Sequence, residues 1–268
     1  LTTPKDDVTL SNMHPKTEKV SGQQKTTLFE TTPVMSSYLL AFVTGDLQSV
    51  EAKTKNGTLM RSWATTAQPK SFLQYANDEA VRIIEFFEDY FQTPFPLEKC
   101  DQVALPDFEA GAMENWGLVT YREVALLADP DNRSVGSEQY VSMVVAHELS
   151  HQWFGNLVTM AWWDDLWLNE GFATWLQDRI TEQFEPAWLS SQDELRVRQR
   201  RVAGRGVEDL AAGRPPGHEC CGAVISLADG DAPVERQRVV HGARPELVAQ
   251  LDRSWARRPG LWDRPAAA

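Results

Sequence analysis

The chain has 268 residues, 42% of them hydrophobic and ten of them tryptophan, enough apolar side chain for a sizeable core and too much for a disordered protein. No run of about 18 apolar residues occurs, so no segment of this sequence reads as a membrane-spanning helix. The net charge of −12 is uneven: residues 196–268 hold 13 Arg against 9 acidic residues, leaving −16 on residues 1–195. That acidic body argues against nucleic acid as a partner; it would tolerate or attract a cationic one, such as a free amine, or it is plain solubility charge.

In chain order, residues 1–22 are polar and read as a loop or an edge. Residues 26–30 and 38–44 read as strands, punctuated by Pro33 and Gly45. Residues 1–49 are expected to be the end of a β-rich N-terminal domain. Asn56-Gly57 between two strand-like runs predicts a hairpin over 50–64. Phe72, Ala76, Ala80, Ile83, Ile84 and Phe87 recur at helical spacing and predict a helix over 68–92, ended before Pro94 and Pro96. Short strands are expected at 102–105 and 118–122. A helix is expected over 139–154 with Ser137 or a neighbour as its cap, and another over 163–183. The fold class is α+β.

From residue 197 the composition changes. Lys is absent, Arg, Ala, Gly and Pro dominate, and residues 197–268 are expected to stand outside the catalytic unit at 50–196, as a non-native or divergent tail. An amphipathic helix over 234–258 would be interrupted by Gly242 and Pro245. Cys100, Cys220 and Cys221 offer neither a disulfide framework nor CxxC spacing, which favours a reducing compartment, the cytoplasm.

The segment His147-Glu148-Leu149-Ser150-His151 carries the chemistry. On a helix, positions i and i+4 share one face, so two imidazoles can reach one zinc ion. Glu148, beside the first ligand, can hold and deprotonate a metal-bound water. Val141, Val144, Val145 and Leu149 mark this helix as buried. A catalytic zinc site owes a third protein ligand. Phe154 and Leu157 stand where a metzincin has Gly and His, so the ligand is sought on the next helix. Glu170 supplies it, with eighteen residues separating it from His151. His218 and His241 fit no ligand spacing.

A third stretch, Gly111-Ala112-Met113-Glu114-Asn115, lies in a loop after a short strand. Its carboxylate is either an ordinary exposed Glu or an anchor for a substrate's cationic end. GAMEN at 111–115, HExxH at 147–151 and the Glu170 segment Asn169-Glu170-Gly171-Phe172-Ala173, with the text around Trp153 and Trp163, resemble the aminopeptidase N family of zinc metallopeptidases over about residues 25–192. The resemblance implies a thermolysin-like catalytic domain with one zinc held by His147, His151 and Glu170. It implies Glu148 as general base, Glu114 as the anchor of a peptide's free α-amine, and a 111–115 backbone running beside the peptide. Removal of N-terminal residues from peptides is the function implied. A peptide-binding pseudoenzyme, and an endopeptidase or epoxide hydrolase of the same clan, are the alternatives. Members of the family also use a tyrosine downstream of the third ligand to stabilise the oxyanion. Here Tyr38, Tyr75, Tyr90, Tyr121 and Tyr140 all precede His147, so a truncated, weakly active or inactive chain is expected.

Overall fold

The computed structural model describes residues 1–188. The expected tail and the helix at 234–258 lie outside the described residues. An α+β architecture results, centred on a five-stranded sheet of β6 (Leu47–Lys53), β7 (Leu59–Thr65), β8 (Lys99–Leu105), β10 (Leu118–Arg122) and β9 (Ala112–Met113), in that spatial order. β7 and β10 run parallel to β8, while β6 and β9 are antiparallel at the edges. β6 and β7 form the hairpin expected from Asn56-Gly57. It begins at Leu47, so the boundary expected at 49/50 falls inside a strand.

The pleat of this sheet sorts its residues between two layers. Met60, Ala64, Cys100, Ala104, Val119 and Tyr121 belong to the core shared with helix α1 (Gln74–Phe91). Trp63, Val103 and Leu118 belong to a second cluster with Leu10. That cluster is closed by the two-stranded sheet of β2 (Val8–Ser11) and β5 (Phe42–Gly45). A three-stranded sheet of β1 (Thr2–Pro4), β4 (Gln24–Phe29) and β3 (Pro15–Ser21) precedes it.

Several expectations are corrected here. Residues 1–22, expected as a loop or an edge, supply edge strands: β1 and β3 flank β4, and β3 pairs with β4 through backbone bonds although every β3 side chain is exposed, so no alternation betrays it. The run at 38–44 divides into a 3₁₀ turn (Ser37–Leu39) and β5. β8 starts three residues earlier than expected, at Lys99, because a buried ion cluster holds its two charged residues. Helix α1 starts at Gln74, after a 3₁₀ turn, and ends at Phe91, capped by Gln92, whose φ of 52° is left-handed.

Gly117 shows what joins the N-terminal strands to the sheet. Its φ is +76°, and a Cβ there would stand 2.5 Å from the Asn12 carbonyl oxygen and 2.8 Å from Leu97 Cδ1. Asn12 is buried and donates to the carbonyls of Leu39 and Trp116, while its Oδ1 accepts from Ala41 N–H. Gly117→Ala is therefore expected to cost at least about 1–3 kcal/mol, from backbone strain alone. An undiminished urea midpoint would show that the contact relaxes freely.

Candidate metal centre

Helix α2 (Val135–Ser150) begins with a capping box: Ser134 Oγ accepts from Ser137 N–H, and Ser137 Oγ accepts from Ser134 N–H. The cap is thus Ser134, and Ser137 is its reciprocal partner. Val141, Val145, Ala146 and Leu149 bury one side of α2 in the core. His151 lies just past the last helical residue yet keeps right-handed helical dihedrals, so His147 and His151 still project together. Gly155, with φ +128°, follows because a Cβ there would come within 3.3 Å of His151 Nδ1 and Asn169 Nδ2.

Helix α3 (Trp167–Phe184) supplies Glu170 in its first turn. It begins later than the expected 163, the residues before it forming a 3₁₀ turn (Trp163–Asp165). Leu166 and Trp167, at its entry, are exposed, whereas Leu176 and Ile180 are buried.

Three donor atoms converge: His147 Nε2 and His151 Nε2 are 3.2 Å apart, and Glu170 Oε2 lies 3.4 Å and 3.7 Å from them. A four-coordinate centre with bonds of about 2.1 Å places neighbouring ligand atoms roughly 3.4 Å apart, so the three residues fit around one cation. The tautomers agree. His147 Nδ1 meets Gln177 Oε1 at 3.0 Å and His151 Nδ1 meets the Phe154 carbonyl at 3.0 Å. Both partners only accept, so each Nδ1 carries hydrogen and each neutral ring turns a lone pair inward. Two lone pairs and a carboxylate facing one another require a cation between them. Without a metal that cation is a proton: burial lowers the His151 pKa, but the bond to Glu170 and the Glu114 and Glu148 carboxylates outweigh it and lift it to about 9. Glu170 is opposed by burial, yet the two histidines hold it far below the usual carboxylate range.

Glu148 is buried beside this centre, and that burial pushes its pKa up to about 7, against the pull of His147 and His151. Near neutrality a carboxyl is poised to take up and return protons. Glu114 is also buried, so it is not an ordinary surface carboxylate. Its backbone carbonyl accepts from Asn156 Nδ2 at 2.9 Å and Gln152 Nε2 at 3.3 Å, and Gln152 Nε2 also donates to the Glu148 carbonyl at 3.2 Å. Gln152 Oε1 accepts from Gly117 N–H. The chain just beyond the metal helix thereby grips the 111–117 loop. Gly111, Ala112 and Met113 lie beside it, the last two in edge strand β9 paired to β10, and Asn115 Oδ1 accepts from Thr120 Oγ1.

Gln152, Asn156, Gln177 and Tyr38 were not singled out by sequence reasoning. Gln177 alone had a local signal, standing two helical turns after Glu170 on the same face of α3. Among the described residues, His147, His151 and Glu170 are the only cluster of three or more metal-type side chains.

His147, His151 and Glu170 thus form a group that could hold a metal ion, in the HExxH-plus-glutamate arrangement known from one class of metallopeptidases. A family profile described as "Peptidase family M1 domain" matches residues 75–212, and the chain belongs to that family. It is 53% identical over 208 residues to aminopeptidase N of Lactococcus lactis subsp. cremoris (strain MG1363), covering 76% of this chain and 24% of that protein. It is 46% identical over 217 residues to aminopeptidase N of Canis lupus familiaris (79% and 22%), and 50% over 188 residues to aminopeptidase M1-C of Oryza sativa subsp. japonica (70% and 21%). The chain thus spans about a quarter of the length of these curated relatives. Among the described residues no helix is long and apolar enough to cross a membrane.

Proposed function

We propose that this chain carries the catalytic centre of a zinc aminopeptidase, which removes residues from the free N-terminus of peptides. The observation carrying the proposal is the juxtaposition of a three-donor cation centre with two further buried carboxylates, Glu148 and Glu114. The relatives' names, aminopeptidase N and aminopeptidase M1-C, agree with it.

His147, His151 and Glu170 would hold zinc, which when bound supplies Lewis acidity and lowers the pKa of water. Glu148 takes the proton from the attacking water, a transfer that its raised pKa suits, and returns it to the departing amine. Glu114 pairs with the substrate's α-ammonium, so that only a peptide whose first amine is free sits with its first peptide bond at the metal. Edge strand β9 offers backbone groups along which the peptide lies.

The test uses the purified 268-residue chain with zinc and paired peptides, free or acetylated at the N-terminus. Cleavage restricted to the free peptide is expected, with Glu148→Gln lowering turnover by about 10²–10⁴-fold. Because no tyrosine follows Glu170, the wild-type rate itself is expected to be low, as loss of one oxyanion donor costs about 10²–10³. Equal cleavage of both peptides would refute the amine anchor.

A further inference from the structure

We propose that Tyr38 is a positioning residue for Glu114, fixing the amine-anchoring carboxylate relative to the helix that carries Glu170; this rests on the aminopeptidase reading above. Tyr38 comes from the 3₁₀ turn before β5, far in sequence from either partner. Its hydroxyl donates to Glu114 Oε1 at 3.2 Å. On the other side, the carboxamide of Asn169 reaches the same phenol, and Asn169 immediately precedes the third ligand on α3. The ring is held against Trp163, 5.6 Å between centroids at 56°. One phenol thus touches the 111–115 loop and helix α3, and its ring meets the 3₁₀ turn that precedes α3.

The physical effect follows from that placement. The backbone of Glu114 is tied by Asn156 and Gln152, which leaves the carboxylate to rotate about its own side-chain torsions. A donor on Oε1 fixes the carboxylate plane and so aims the remaining lone pairs. Burial first, and the adjacent Glu114 charge second, keep the phenol protonated and donating across the working pH range. Asn169, packed against Gly155 and near His151, anchors the other side. The separation between amine anchor and metal centre, which decides that the first peptide bond is the one cut, is thereby braced through a single oxygen.

The test measures binding rather than turnover. The zinc-loaded full chain is titrated with leucine hydroxamate and with its des-amino analogue, 4-methylpentanoic hydroxamate. The ratio of the two affinities reads the amine anchor alone, since the metal-binding hydroxamate is common to both. Wild type is expected to prefer the amine-bearing ligand by roughly 10–100-fold, as a charged hydrogen bond would give. Tyr38→Phe, which keeps the ring on Trp163, is expected to reduce that ratio by about 10-fold while zinc content and affinity for the des-amino ligand stay unchanged. An unchanged ratio in Tyr38→Phe, beside a discriminating wild type, overturns the positioning role and leaves the Glu114 anchor standing. Equal affinities in wild type overturn both. A parallel loss of both ligands, or of zinc, assigns Tyr38 to folding and overturns the proposal.

Discussion

Glu170→Ala is expected to end stoichiometric zinc uptake by this chain while leaving the fold in place. Glu170 sits in the first turn of α3 with its side chain 36% exposed, so its removal opens no cavity in the core. What it removes is one of three donors and the negative charge that offsets a divalent cation. His147 Nε2 and His151 Nε2 then face each other at 3.2 Å with no carboxylate to complete the set. Changes to outer partners of a metal site cost about 10–100-fold in affinity, so loss of a direct ligand is expected to exceed about 100-fold. The consequence is measurable as stability. At a zinc concentration 100 times the wild-type Kd, binding stabilises wild type by about 2.7 kcal/mol; a variant bound 100-fold more weakly gains only about 0.4 kcal/mol. Zinc content after dialysis, read beside the zinc-induced thermal shift, checks both halves. A Glu170→Ala chain that retains one zinc and the full shift would remove Glu170 from the centre and require a different third ligand.

The same residues explain why the convergence of the three donors was legible in the sequence and its surroundings were not. His147, Glu148 and His151 lie within one and a half turns of a helix, so spacing alone places them, and Glu170 opens the next helix. Both signals are local. Tyr38 is 76 residues from Glu114, and its turn is set by strands around it, so nothing near it announces a role. Gln152 and Asn156 act through side-chain amides on backbone carbonyls, a contact that leaves no pattern in sequence. Exposure leaves little trace either: Trp163 lies in the 3₁₀ turn and Leu166 and Trp167 at the entry to α3, and all three large apolar side chains face outward. Lys99 and Asp101 misled in the opposite direction. Two charges separated by one residue argue against a buried strand, and here they occupy the most buried strand of the sheet.

Those two charges set the second large expected effect: Asp101→Leu should destabilise the chain by about 3–5 kcal/mol. Asp101 is fully buried, and its oxygens accept from Arg61 Nε at 2.6 Å, the second Arg61 nitrogen at 2.9 Å and Trp63 Nε1 at 3.0 Å, with Lys99 Nζ at 2.7 Å. Lys99 divides its three donors among Asp101, the Ser11 carbonyl and the Gly117 carbonyl. Removing the carboxylate leaves an ammonium buried without a counter-charge, and burial already lowers the Lys99 pKa. Lys99→Met combined with Asp101→Leu should therefore be more stable than Asp101→Leu alone, a coupling readable from urea midpoints. The pH dependence has a definite sign. Burial opposes ionisation of Asp101, but Lys99 and Arg61 outweigh it and hold the carboxyl below its ordinary range. Its contribution is thus present above the unfolded pKa near 3.9 and is lost as pH falls through the lower folded value. The stability gap between wild type and Asp101→Leu should stay level from pH 7 to about 5 and narrow only below about 4; a gap that closes between pH 7 and 5 would exclude this carboxylate as its source. The cluster also reaches the site. Lys99 holds the Gly117 carbonyl, and Gly117 N–H bonds Gln152, which grips the Glu114 backbone. Loss of Asp101 should therefore weaken discrimination between amine-bearing and des-amino ligands as well as stability, and a stable double variant with full discrimination would separate the two effects.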